Sequence, residues 1–457
     1  MLSRYSSVTT KALGIALMAL LMLIPLAQVR DLIAERSGYR QHAVAQIASR
    51  WGAAQTVGGP VISVPHRVML ETKDGYKPSQ QMLYLLPERG DISATLTPSI
   101  RAYGIYDTAV YTADVTISAR YESDDFAPLS TDAANYLTDQ VKLRFLLSDV
   151  RGLREVKSVK VNGTPQRLQP GDAIGNIAAV SVALDPSLLA GALTVEVQYV
   201  VAGTESLQFL PMARTTTVKV DAPWADPSFT GAFLPAERDI DDKQFSARWQ
   251  VLELNRGFAQ HWEETPHNAV NLHEWSFGVT LYRPVDVYQQ LQRAGKYGLL
   301  FIGLSFVAFF LFEVLKKLRV HPVQYVLVGL ALCTFYILLL ALSEQIGFGG
   351  AYAVAATAVV LIIGGYAAAV LATRRAGGLL AGCLAVAYLL LYGLVISEQY
   401  SLLIGAITLL AVVSVLMYLT RRIDWYGESR PAAAPAAAKT DFDAFVMPDL
   451  PPNGSRR

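Results

Sequence analysis

The sequence predicts a membrane protein in two parts: a bundle of six transmembrane α-helices, and a large β-rich domain of antiparallel, sandwich-like sheets outside the lipid. Three observations predict it. Hydrophobic residues make up 52% of the 457-residue chain and charged residues only 17%, whereas a soluble protein carries about a quarter charged. The stretch 297–426 holds only eleven Asp, Glu, Lys and Arg side chains. Between 30 and 296, by contrast, several segments alternate apolar and polar residues with a period of two, the mark of strands with one packed face and one wet face.

The order of elements follows from the solvent each segment can tolerate. Residues 1–11 carry Arg4 and Lys11, and 12–29 form an apolar run closed by Arg30. A cleavable signal peptide has the same basic start and apolar core, but Pro25 falls where a small residue should precede cleavage, so an uncleaved signal-anchor is expected. Five further apolar segments follow at 297–315, 322–342, 352–373, 379–396 and 402–420. Each approaches the roughly 20 residues a helix needs to cross the hydrocarbon core, where no water satisfies an open backbone.

Six crossings also organise the basic residues. With the N-terminus in the cytoplasm, Lys316, Lys317 and Arg319, then Arg374 and Arg375, then Arg421 and Arg422, all fall inside, as short cytoplasmic loops require. The two outward turns, at Ser343-Glu344-Gln345 and Ser397-Glu398-Gln399, hold no Lys or Arg. Residues 30–296 then lie outside, in the periplasm of a Gram-negative cell, and 427–457 form a Pro/Ala-rich cytoplasmic tail whose composition cannot bury a core.

The outer segment opens as a helix over 31–51 and continues as sheet. From Tyr111 to Tyr121 the odd positions are Tyr, Ala, Val, Ile, Ala and Tyr, with polar residues between. The alternation returns at Leu193–Val201 and Phe245–Val251, and one-sided strands point to antiparallel sheets. Asn162-Gly163 marks a two-residue hairpin turn, because both residues tolerate positive φ. Residues 284–296 are expected to be helical again and to lead straight into the second span. Within the membrane half, the Leu-Ser-Glu-Gln and Ile-Ser-Glu-Gln copies suggest a tandem pair of helical hairpins. Gly364, Gly365, Gly378 and Gly382 are candidates for close helix approach, the last two spaced as GxxxG.

Few residues nominate chemistry. A net charge of +1, from 39 basic and 38 acidic residues, lacks the footprint of a nucleic-acid binder. Cys333 and Cys383 lie in apolar runs and imply neither a disulfide framework nor a zinc site. His261, His267 and His273 recur every six residues, but a strand would spread the outer pair about 40 Å apart, too far for one metal. No nucleophile motif stands in a credible context, so no catalytic, cofactor or metal site is expected. Glu313 is the clearest intramembrane charge, read as an interfacial pair with Lys316 and Lys317 against a proton or ligand role. Glu344 and Glu398 sit at outer helix ends, where water reaches them.

Over nearly its whole length the chain resembles the CreD family of bacterial inner-membrane proteins, described as cell envelope integrity proteins. The resemblance rests on Trp51, Gly52, Gln55, Gly59 and Pro60, on Arg101, Gly104, Tyr106 and Tyr111, on the run from Tyr297 to Glu313, on His321, Pro322, Gln324, Tyr325 and Ser343, and on Asp424, Trp425 and Tyr426. Gln345 departs from the pattern, as does the tail. The resemblance implies control by the Cre two-component system and a role in envelope maintenance, colicin tolerance and, in some bacteria, the β-lactam response; it brings no catalytic residues. The expected function is thus a non-enzymatic envelope protein working through contacts with membrane lipids or other envelope proteins. The alternative is a transporter or channel component built on the duplicated hairpins, and an outer-face hydrolase ranks last.

Overall fold

A computed structural model of the chain describes residues 7–72, 75–131, 134–264, 270–281, 287–315, 320–370, 373–397 and 400–421. Its contacts divide the chain into two compact units, one of residues up to Val29 with those from Arg293 onward, the other Arg30–Gln292.

The helices are α1 Ser7–Leu21, α2 Leu23–Trp51, the short α3 Ala127–Thr131, α4 Val287–Leu315, α5 Pro322–Val370, α6 Arg374–Ile396 and α7 Ser401–Thr420. The strands are β1 Gln55–Thr72, β2 Gly75–Leu85, β3 Arg89–Tyr103, β4 Tyr106–Tyr121, β5 Lys142–Leu147, β6 Leu153–Val161, β7 Thr164–Pro165, β8 Gln169–Ile174, β9 Ile177–Ala183, β10 Leu193–Thr204, β11 Ser206–Phe209, β12 Thr215–Ala222, β13 Pro227–Gly231, β14 Glu237–Ile240, β15 Phe245–Leu252, β16 His261–Glu264 and β17 Phe277–Leu281.

Unit Arg30–Gln292 holds two sheets. One has nine strands in the order β13-β17-β11-β1-β5-β9-β8, with β2 paired to β1 and β16 to β2; the other has eight, β14-β15-β12-β3-β4-β10-β6-β7. Their facing sides share one core, in which Val57, Phe145 and Phe209 of the first sheet meet Tyr111, Val197 and Trp249 of the second. Trp249 packs its ring 5.6 Å from Phe229 and 5.9 Å from Phe277, both across the sandwich. In β4 the alternating burial of Ala113, Val115, Ile117, Ala119 and Tyr121 follows the period of two. Asn162 and Gly163 turn β6 into β7 with φ of 48° and 76°.

The expectation of purely antiparallel sheets is corrected: the sheets are mixed. β1 runs parallel to β11, with Gln55 opposite Leu207, and β3 runs parallel to β12, with Arg89 opposite Thr215. Alternation reports which face of a strand is buried and carries nothing about the direction of its neighbour; both parallel partners arrive by long crossovers.

Among the described residues, four helices are long and apolar enough to cross a membrane: Leu13–Trp51, Val287–Glu313, Pro322–Val370 and Arg374–Ile396, with a shorter apolar helix at Leu402–Tyr418. The first span and the expected helix over 31–51 are joined with only a local break at Met22. The segments expected as separate spans at 322–342 and 352–373 belong to one 49-residue element. At 1.5 Å per residue its path is about 74 Å, more than twice the hydrocarbon thickness. It is interrupted at Gly347, whose φ of 75° and ψ of 164° are not helical. The chain therefore stays helical through Ser343-Glu344-Gln345, where a turn was expected, and breaks two residues later at the glycine that tolerates that backbone.

Helices α5 and α6 approach through Gly364 against Ala381 and Gly377 against Ala368. Gly365, Gly378 and Gly382, singled out from the sequence, face open space instead. One residue turns a helix by about 100°, so the spacing alone did not select the touching face. Helix α7 buries no side chain among its described positions.

Candidate functional site

The residues that carried the resemblance gather mainly in two places. In the membrane unit, Pro322 occupies the first turn of α5, where its missing N–H costs nothing. His321 precedes it as the cap: its Nδ1 accepts from the Val323 N–H at 3.3 Å, and the Gln324 Oε1 accepts from the His321 N–H at 3.1 Å. The arrangement is a variant of the capping box, with His in place of Ser or Thr and its ring bonded to the second backbone N–H position of the helix instead of the third. One residue on, the Tyr325 hydroxyl donates to Glu313 Oε2 at 2.9 Å, and the Val320 N–H donates to Oε1 at 3.2 Å. Glu313 is 3% exposed at the end of α4, and the Tyr325 ring stands edge-on to Phe306 and Phe309.

The His-Pro-Val-Gln-Tyr run thus starts one helix and fastens it to the carboxylate of the helix before. Chemically the arrangement is a buried acceptor held by two donors. Lys316 and Lys317, the partners weighed for Glu313 from sequence, lie outside the described residues, as do Glu398, Asp424, Trp425 and Tyr426. Glu344 is half-buried in α5, and Ser343 donates to the Leu340 carbonyl at 2.9 Å.

The second cluster lies where α2 hands over to β1. Gly52 takes φ of 135°, and a Cβ there would collide with the Ala202 carbonyl oxygen. The fully buried Gln55 side chain donates to the carbonyls of Asp149 and Ala202 at 3.0 and 3.1 Å and accepts from the Asp149 N–H at 3.3 Å. It stitches β1 to β10 and to the loop after β5. Tyr111 donates to the Ser206 carbonyl at 2.6 Å; burial pushes its hydroxyl well above the usual tyrosine range. Gly59, with φ of 99°, precedes Pro60, whose carbonyl accepts from Tyr121 at 3.0 Å and so links the two sheets.

At the edge of this cluster the Trp51 indole, bonded to the Tyr111 carbonyl at 3.2 Å, carries two guanidiniums, Arg101 at 4.8 Å and Arg154 at 4.9 Å from the ring centre. Arg50 lies 5.8 Å from the Tyr103 ring. Gly104, with φ of 64°, forms the hairpin turn between β3 and β4, and Tyr106 beyond it lies 6.3 Å from Tyr288. Arg50 fell within a stretch that carried the resemblance but was not singled out, and Arg154 was missed; no local pattern marks Arg154, 103 residues from the backbone carbonyl of Trp51 to which it donates.

Elsewhere in the sandwich, buried Arg144 and Lys142 hold Asp172 at 3.2 and 3.0 Å, and Ser181 donates to it at 2.6 Å. Burial would raise the Asp172 carboxyl, but the hydrogen bonds from Ser181 and Lys142 outweigh it and hold it below the usual carboxylate value. His261 and His273 are exposed on separate elements, and His267 lies outside the described residues.

The family model described as Inner membrane protein CreD matches residues 7–426. The inner membrane protein CreD of Escherichia coli (strain K12) is 33% identical over 426 residues, covering 90% of this chain and 92% of that protein. A match on that scale, across both the sandwich and the apolar helices, means that the chain belongs to the CreD family of inner membrane proteins.

Proposed function

We propose that this chain maintains the cell envelope without catalysing a reaction: the sandwich is displayed in the periplasm on a six-helix anchor with both chain ends in the cytoplasm, and it works by contact with lipid or other envelope proteins. Envelope stress, colicin tolerance and the β-lactam response are the settings that family membership suggests. The observation that carries the reading is the contrast in surfaces. The sandwich surrounds its core with charged and hydrogen-bonded groups, whereas the helices turn Leu, Ile and Val outward, as at Leu361, Leu389 and Leu410. The Gly347 break supports the count of six, because arms of residues 322–346 and 348–370 are each about one membrane thickness long. That count keeps the basic residues on one side.

A strain lacking the gene is expected to lose envelope-stress tolerance and to regain it with the wild-type chain and with Glu313→Gln, which retains an acceptor for Tyr325. The buried Glu313 carboxylate favours one second reading, proton-linked transport. Failure of Glu313→Gln to restore tolerance, together with proton flux in vesicles reconstituted with the wild-type protein, would establish that reading instead.

A further inference from the structure

We propose that the end of α2, the tip of the β3–β4 hairpin and the start of β6 form a docking surface for a phosphate-bearing, anionic lipid. Two stretches that carried the resemblance meet here: Arg101 lies on Trp51, and Arg50 lies against Tyr103. Arg154 joins from a third element and also donates to the Trp51 carbonyl. Two guanidiniums on one indole stand within about 10 Å of each other, comparable with the distance over which salt screens charges.

Three other exposed arginines of the same domain are neutralised, Arg120 by Glu122, Arg151 by Asp149 and Arg214 by Glu88, whereas Arg50, Arg101 and Arg154 are gathered on two neighbouring aromatic rings. Among the described residues, no carboxylate forms an ion pair with Arg50, Arg101 or Arg154, and all three are exposed. Concentrating like charge is unfavourable unless an anion arrives, and the planar guanidinium fork matches phosphate oxygens.

The hairpin decides what kind of anion. From Ile100 onward β3 is exposed on both faces, and the two-residue turn at Gly104 presents Ile100, Tyr103 and Ile105 at 47%, 45% and 53% exposure. Free phosphate needs only the arginines. Isoleucines and a tyrosine beside three cations instead match the boundary between headgroup and acyl chain, as at interfacial membrane anchors. The inference rests on the proposed contact with lipid and names the headgroup chemistry; flotation tests it separately from the tolerance phenotype, and it does not depend on which side of the inner membrane the domain faces.

The test uses full-length protein in phosphatidylcholine nanodiscs, mixed with vesicles of phosphatidylcholine alone or with added phosphatidylglycerol and read by co-flotation. Binding is expected only to the vesicles with phosphatidylglycerol. Each Arg→Gln change at positions 50, 101 and 154 should weaken it about fivefold, and the triple variant on the order of a hundredfold. The three Arg→Lys changes together should leave binding between that of wild type and that of the triple Gln variant, because the charge is kept while the planar fork and its stacking on Trp51 are lost. Ile105→Ser, which leaves every cation in place, should weaken binding while leaving its salt dependence unchanged. Equal binding to both vesicles, unaltered binding by a folded triple Gln variant, or displacement of the vesicles by inorganic phosphate would each overturn the proposal. If the Gln variant does not fold, the Lys and Ile105→Ser variants decide the matter.

Discussion

The sandwich and the apolar helices bury residues for opposite reasons. In the sandwich, two sheets remove apolar side chains from water, and polar side chains caught inside are held in networks such as Gln55 with Asp149 and Ala202, or Arg144, through its terminal nitrogens, with Asp172 and Ala173. In the helices the surroundings are as apolar as the side chains, so outward Leu and Ile need no cover. Close packing there comes from small residues, as where Gly377 meets Ala368. Glu313 is the one buried charged side chain among the described residues of that unit, and it is held by two donors. The same leucine is therefore core in one half of the chain and surface in the other.

Truncation separates the two cases most strongly. Trp249→Ala removes a fully buried ring whose Nε1 also donates to the Phe233 carbonyl at 3.2 Å. We expect a loss of about 3–5 kcal/mol in the unfolding of the sandwich, read as a lowered thermal transition by near-ultraviolet circular dichroism. Leu361→Ala, at a position 68% exposed on α5, should shift stability by less than about 0.5 kcal/mol in a lipid nanodisc. Equal effects would break the comparison.

A polar substitution sharpens it. Gln55→Leu keeps the approximate volume but leaves the Asp149 and Ala202 carbonyls and the Asp149 N–H without the side-chain partners they have here. A cost of about 2–3 kcal/mol is expected in the same thermal measurement. A change under about 0.5 kcal/mol would mean that the junction between α2 and β1 does not rely on it.

The smallest effect concerns acid. Asp172 titrates below its ordinary value in the folded state, so its contribution is fully present above the unfolded carboxylate pKa near 3.9 and is lost as pH falls through the lower, folded value. Asp172→Asn should therefore lower the thermal transition at neutral pH and shrink the difference from wild type as pH drops below about 4. A difference that widens toward low pH would contradict the pairing with Arg144 and Lys142.

What the sequence disclosed follows the same division. Apolar spans were legible because hydropathy is a local sum, and the alternation from Tyr111 to Tyr121 was legible because pleating is local too. Both parallel pairings escaped notice, since Gln55 finds Leu207, and Arg89 finds Thr215, across more than a hundred residues. The expected turn at Ser343-Glu344-Gln345 was displaced because polar residues mark where water is tolerated, while the backbone breaks where glycine permits it, at Gly347. Of the candidate sites, Glu313 stood out as charge in an apolar run. Its donor Tyr325, twelve residues away in the first turns of α5, became evident only in the folded structure. Trp51 and Arg101 were each visible as motif residues, but nothing in their spacing predicted that one would lie on the other.

The most direct test of the two-solvent account is residue-by-residue labelling in cells. With Cys333→Ser and Cys383→Ser removing the native thiols, Lys160→Cys on an exposed position of β6 should react with a membrane-impermeant maleimide once the outer membrane is permeabilised. A cysteine appended at the C-terminus should react only after the inner membrane is broken. A protected Lys160→Cys, or a C-terminal cysteine labelled in cells whose inner membrane is intact, would contradict the account.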